Sequence, residues 1–277
     1  MRPLRCCGLF LVLPLLVLSP AARAQAPYWV EPMNKVHAQF KGEKGTCAQF
    51  GDSITVTMAY WASLAYDAKN APPEMAKAHE LVKKYMKPDC WAKWKGGAYG
   101  SDGGMTIRWA HDNIDKWLGK LNPEVAVIMF GTNDLGPLEL KEYEQKYREV
   151  VAKCLKNGTV VILTSIPPRT GRLDKARTFA EAVQRIGKDT GCPVIDYFGE
   201  CLKRRPDDWD GALAKFKDTP GGVYEVPTLI SGDGVHPSNP SKFRDYSEES
   251  LKTNGYLLRN NLTLMTYADV IREVLQK

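Results

Sequence analysis

The sequence predicts a three-layer α/β/α fold around a mostly parallel sheet, and three observations carry that prediction. Val125 to Phe130 (VAVIMF), Thr159 to Thr164 (TVVILT) and Pro193 to Tyr197 (PVIDY) are short apolar runs of the kind that form strands buried on both faces. Between them, Leu140, Tyr143, Tyr147, Val150, Val151, Cys154 and Leu155 recur at three- and four-residue steps and stop at Gly158, as an amphipathic helix does. Ala176, Phe179, Ala180, Val183 and Ile186 repeat that pattern. Strands alternating with helices require crossovers, which place helices on both faces of a parallel sheet.

The chain has 277 residues, 44% hydrophobic and 25% charged, enough for one large domain with a substantial core. Its first 24 residues read as a removable export signal. Arg2 and Arg5 give a positive start, Gly8 to Leu18 an apolar run, and Ala22-Arg23-Ala24 a small-x-small cleavage site. That run is too short to span a bilayer, so the expected mature chain begins near Gln25, is secreted or periplasmic, and has no stable membrane insertion. Residues 25–277 are then expected to form a single domain. Of the formal charge of +6, three arginines belong to the signal, leaving 35 basic against 32 acidic residues. No basic stripe stands out, which argues against nucleic acid as a partner.

Taken in order, the mature chain offers a first strand at Thr46 to Phe50, then Gly51-Asp52-Ser53-Ile54-Thr55 and a helix-compatible stretch from Val56 to Leu64. A serine at a strand-to-helix turn exposes its hydroxyl at the sheet edge, the placement a nucleophile needs; the same tripeptide can also be a plain helix cap. Segments 69–88 and 203–232 break the rhythm and read as insertions over the sheet. Asp207-Asp208-Trp209-Asp210 lacks the ligand spacing of a calcium loop and reads as a solvated turn. Lys95 to Met105 holds five glycines but neither dinucleotide nor phosphate-loop spacing. Tyr267 to Leu275 closes the chain with a last amphipathic helix.

Two further turns carry chemistry. Gly131-Thr132-Asn133-Asp134 follows the VAVIMF strand, and a carboxamide there can donate to a developing oxyanion without bearing charge. In Asp233-Gly234-Val235-His236-Pro237, Asp233 can orient the His236 imidazole so that its other nitrogen takes a proton. His37, His79 and His111 are expected at the surface. A metal at Asp233 and His236 would need a third ligand that the sequence does not place, so neither metal nor cofactor is expected. Five cysteines follow the signal, and Cys47 with Cys90 is the favoured disulfide, since each is expected on or just before neighbouring strands.

Together these turns resemble the SGNH hydrolases, the GDSL esterase and lipase family. GDSIT is similar to its first block, GTND to its third and DGVHP to its fifth, in the family's order. The resemblance implies a flavodoxin-like, doubly wound five-stranded sheet. It also implies a triad of Ser53, Asp233 and His236, with an oxyanion hole of the Ser53 amide, the amide of a second-block glycine and Asn133. Gly100 is the preferred glycine and Gly103 its rival. The implied activity is hydrolysis of a small-molecule or polysaccharide ester. Short acyl groups on carbohydrates rank first, with Trp91, Trp94, Trp109 and Trp209 as aromatic faces for sugar rings. A lipid or thioester hydrolase and an inactive carbohydrate-binding fold are the alternatives.

Overall fold

The computed structural model describes residues 26–240 and 244–276. The export signal expected over residues 1–24 lies outside them. Four strands form one parallel sheet in the order β1 (Cys47–Gly51), β2 (Val125–Met129), β3 (Val160–Thr164) and β4 (Val194–Ile195). Every residue of the first three strands is buried, the polar Gln49 of β1 and Thr164 of β3 included.

The helices are α1 (Val30–His37), α2 (Ser53–Val56), α3 (Pro73–Tyr85), α4 (Asp89–Ala92), α5 (Ile107–Leu121), α6 (Leu140–Lys156), α7 (Leu173–Thr190), α8 (Tyr197–Arg204), α9 (Ser250–Thr253) and α10 (Gly255–Val270). On one face α5 packs on α6 and α6 on α7. On the other, α3, α8 and α9 pack on α10, and α1 packs on a π-helical extension, Ile271–Leu275. The segment after Lys69 is therefore more than a polar cover, because Met75, Ala78 and Val82 of α3 enter the core. No described helix is long and apolar enough to cross a membrane.

The sheet has four strands where five were expected. The fifth position, on the free side of β1, holds a single parallel bridge between Gly51 and Ser101. Just before it, Gly96 and Gly100 take φ of +94° and +92° around a short 3-10 turn at Gly97–Tyr99, so that stretch cannot extend into a strand.

Other expectations are corrected by packing. The helix foreseen from Val56 to Leu64 stops at Val56, where Thr57 turns extended, and resumes only as a 3-10 turn at Ala62–Ala65. His79 is buried, its Nε2 2.6 Å from the Leu64 carbonyl, and His37 is half-buried against Glu124 at 2.9 Å. Cys47 and Cys90 are neighbours but not bridged. The Cys47 amide donates to Cys90 Sγ at 3.3 Å while the Cys47 thiol points along its own strand, and all five described cysteines are free and buried. None of the seven tryptophans is exposed; Trp91 stacks on Trp61, and Trp109 packs against Trp117 and Phe130.

Candidate active site

Ser53 opens α2 just beyond the carboxyl end of β1. Asp52 makes the turn: its carboxylate accepts the Ile54 amide at 3.0 Å and its carbonyl accepts the amides of Thr55 and Val56 at 2.9 and 3.0 Å. As the first helical residue, Ser53 has an amide with no acceptor inside the helix. The helix is one turn long, and its carbonyls would be orphaned in the core without outside donors. Arg259 of α10, fully buried, donates to the Ile54 carbonyl at 2.7 Å and the Thr55 hydroxyl at 3.0 Å. Lys95 donates to the Thr55 carbonyl at 2.8 Å. Burial, reinforced by the Arg259 charge, pulls the Lys95 pKa down to about 7.

The Ser53 hydroxyl lies 2.9 Å from His236 Nε2, and His236 Nδ1 lies 2.7 Å from Asp233 Oδ2. The other oxygen, Oδ1, accepts the Ser231 hydroxyl and the amides of Val235 and His236 at 2.7 to 2.9 Å. Burial opposes ionisation of Asp233. The hydrogen bonds from the imidazole, the two amides and Ser231 outweigh it and hold the carboxyl well below the usual range. The hydrogen bond to Asp233 in turn raises the His236 pKa against its own partial burial. A hydroxyl, an imidazole and a saturated carboxylate in this sequence can pass a proton from the hydroxyl to the ring, with the positive ring stabilised in place.

Asn133 stands beyond the end of β2. Gly131, at φ +138°, starts its turn where a Cβ would strike Ile166 and the Tyr143 hydroxyl. Asn133 Nδ2 donates to the Met105 carbonyl at 3.0 Å, and Asp134 accepts the Ile107 amide at 2.9 Å, capping α5. The loop from Ser101 to Ile107 is thus laced to both the serine and the asparagine turns. Gly100 is turned into the floor: its amide donates to the Gly97 carbonyl at 3.4 Å, and a Cβ there would lie 2.2 Å from Phe50. Gly103 faces open space, its amide donating to Asp102 Oδ1 at 2.8 Å. The Gly51–Ser101 bridge is continued by the Asp102 amide, which donates to the Gly51 carbonyl at 3.2 Å.

Several groups here were not singled out from sequence. Asp52 and Asp134 are fully buried, each with an Oδ2 lacking a partner among the described residues. Burial raises their pKa values to about 6 and about 7, the Asp52 charge adding to the shift at Asp134. Arg169 donates to the Thr132 carbonyl at 2.6 Å, and Tyr224, half-exposed, presents its ring edge-on 6.1 Å from His236. For His79 the signal was available: Met75, Ala78, His79 and Val82 share one helical face. Among the described residues no group of three or more His, Cys, Asp or Glu is arranged to hold a metal ion.

Comparison with curated proteins finds no match. Among solved structures, similar folds include a lipase/acylhydrolase from Enterococcus faecalis at 16% identity, covering 80% of this chain and 95% of that one with a TM-score of 0.49. A psychrotrophic esterase from Pseudoalteromonas sp. is 16% identical over 84% of this chain and 100% of its own, with a TM-score of 0.49. A catalytic mutant of an acetylxylan esterase from Geobacillus stearothermophilus is 17% identical over 84% of this chain and 95% of its own, with a TM-score of 0.47. The sequence profile of the GDSL-like lipase/acylhydrolase family matches residues 50–240, a span that holds the serine turn, the asparagine turn and the Asp-His turn. The chain therefore belongs to the GDSL-like lipase/acylhydrolase family and is a carboxylic ester hydrolase.

Proposed function

We propose that the protein is an exported serine esterase that removes short acyl groups, above all acetyl, from carbohydrates. The observation that carries this reading is the hydrogen-bonded chain from Ser53 through His236 to Asp233. His236 takes the Ser53 proton as the serine oxygen attacks the ester carbonyl, and Asp233 keeps the ring oriented and stabilises its positive charge. The tetrahedral oxyanion is held by the amides of Ser53 and Gly103 and by Asn133 Nδ2, whose second N–H is free to turn to it. We assign this role to Gly103 in place of Gly100, because Gly103 stands in open space and its amide is held only by the exposed Asp102 side chain, which the oxyanion would displace. His236 then protonates the leaving alcohol, and water repeats the sequence on the acyl-serine to release the acid.

The acyl preference rests on the stretch from Ile54 to Gly100, which offers no long apolar lid. A cavity of about 930 Å³ bounded by Tyr28, Pro32, Lys188, Gly191 and Val194 lies away from the loops of Ser53, Asn133 and His236. The carbohydrate preference no longer draws on tryptophan, and Tyr224 beside His236 is the aromatic face that supports it.

The test is direct. Ser53→Ala should abolish 4-nitrophenyl acetate turnover without moving the thermal transition, a serine-directed phosphonate should label Ser53, and wild-type turnover should fall steeply from acetyl to octanoyl esters. A rise toward octanoyl would transfer the reading to a lipid hydrolase, and no turnover at all would transfer it to a binding protein. Amino-terminal sequencing of exported protein should begin near Gln25.

A further inference from the structure

The loop after β3, Ser165 to Arg172 (SIPPRTGR), runs between the two turns that flank Ser53. Its Thr170 amide donates to the Gly234 carbonyl at 2.9 Å, tying it to the turn of His236. Its arginines reach the other way: Arg169 Nη1 donates to the Thr132 carbonyl at 2.6 Å and Arg172 Nη1 to the Leu135 carbonyl at 2.9 Å, one on each side of Asn133. Pro167 and Pro168, both buried, fix the approach. Arg169 is thereby a half-buried guanidinium held between the base and the oxyanion asparagine.

Only one of its nitrogens is occupied. Nε and Nη2, which together form the edge that pairs side-on with a carboxylate, have no hydrogen-bond partner among the described residues, and Arg169 makes no ion pair there. Among the described residues no neighbouring acid hydrogen-bonds to that edge. Asp233 is saturated by four donors, Asp52 lies buried under the serine turn, and Asp210 accepts Thr170 Oγ1 and the Ala212 amide, both at 2.8 Å. Clamping one carbonyl needs one N–H. A guanidinium whose bidentate edge is left open beside the reacting atoms is suited to an anionic ligand.

We propose that Arg169 binds a carboxylate on the carbohydrate part of the ester, so that the preferred substrates are acylated uronates. The proposal rests on the serine-esterase reading above. The carboxylate is placed on the alcohol side because the leaving oxygen must face His236 Nε2 to receive its proton, and the loop of Arg169 is bonded to the turn of that histidine. A planar carboxylate fits the Nε–Nη2 edge with two parallel hydrogen bonds, which a lysine cannot supply.

Acetate release should be compared on O-acetylated oligogalacturonates with free carboxylates and on the same oligomers methyl-esterified. The wild type should favour the free acid by about tenfold or more in kcat/KM, mainly through KM. Arg169→Gln should bring the ratio close to one, and Arg169→Lys, which keeps a donor for the Thr132 carbonyl, should retain only a few-fold preference. Calorimetric binding of unacetylated oligogalacturonate to Ser53→Ala should show the same preference, lost in Ser53→Ala/Arg169→Gln. The proposal is overturned by equal wild-type treatment of both oligomers, by a preference that survives Arg169→Gln, or by equal loss on both, which would make Arg169 a clamp only. Hydrolysis retained by Ser53→Ala would sink the serine reading instead, while the binding ratio would still decide the role of Arg169.

Discussion

Asp233 has every acceptor site on one oxygen filled by its own turn, which leaves the other to hold the His236 ring. Because the ring pKa is raised above its ordinary 6.5 and only the neutral ring can take the Ser53 proton, kcat/KM should climb with pH along a limb centred above 6.5. In Asp233→Asn that limb should move to lower pH, because the partner that favours the charged ring is gone. A pH–rate profile with stopped or pH-stat assay checks both. Asn133→Ala should lower kcat by about a hundred- to a thousandfold with KM little changed, the loss expected for one oxyanion donor. The two glycines separate cleanly. Gly103→Pro, which removes the amide hydrogen, should lower kcat by about a hundredfold while Gly103→Ala does not. Gly100→Ala should instead lower the thermal transition, since its Cβ would meet Phe50 from a left-handed backbone.

At the scale of elements, strands β2 and β3 and helices α6 and α7 were legible because each is specified by its own residues, through apolar runs rich in β-branched residues or a 3.6-residue stripe. The serine, asparagine and Asp-His turns of the candidate site were legible as turns for the same reason. What was not legible depends on residues far away in the chain. Five glycines between Lys95 and Met105 look alike until Phe50 is seen under Gly100, and α2 looks like the start of a longer helix until Arg259 and Lys95 take over its carbonyls. Arg169 reads as an ordinary loop charge until the Thr132 carbonyl and the Gly234 turn are found on either side of it. The arrangement under α2 carries a prediction. Arg259→Met should leave the Ile54 carbonyl and the Thr55 hydroxyl without their donor, at about 1–3 kcal/mol for each buried group left unpaired. A lowered urea midpoint at unchanged slope would report it.

For the molecule as a whole, the buried carboxyls of Asp52 and Asp134 set a pH dependence of stability. Both hold a proton in the folded state, with pKa values of about 6 and about 7, at pH values where the unfolded chain, near its ordinary 3.8, has lost it. The folded state then binds more protons, so their contribution is complete below about pH 4 and is lost as pH rises through 6 to 7. Asp134→Asn, which keeps an acceptor for the Ile107 amide, should make the fall in urea midpoint between pH 5 and pH 8 shallower than in the wild type. An unchanged slope would mean that Asp134 is ionised throughout.

The five unbridged cysteines have a further use. They sit on β1, α4, α6, α8 and the connection between α7 and β4, and burial pushes every thiol up, Cys90 to about 11 and Cys192 to about 12. A thiol that is both covered and protonated does not react, so alkylation of the native protein should wait for the surrounding element to open. Each cysteine is thereby a clock for its own region. If the molecule opens all at once, mass spectrometry of a timed iodoacetamide reaction should find unlabelled and fully labelled chains and little between. If Cys90 were labelled well ahead of Cys154, the loop region beside the serine turn would be the part that loosens first, while the helices covering the sheet stay closed.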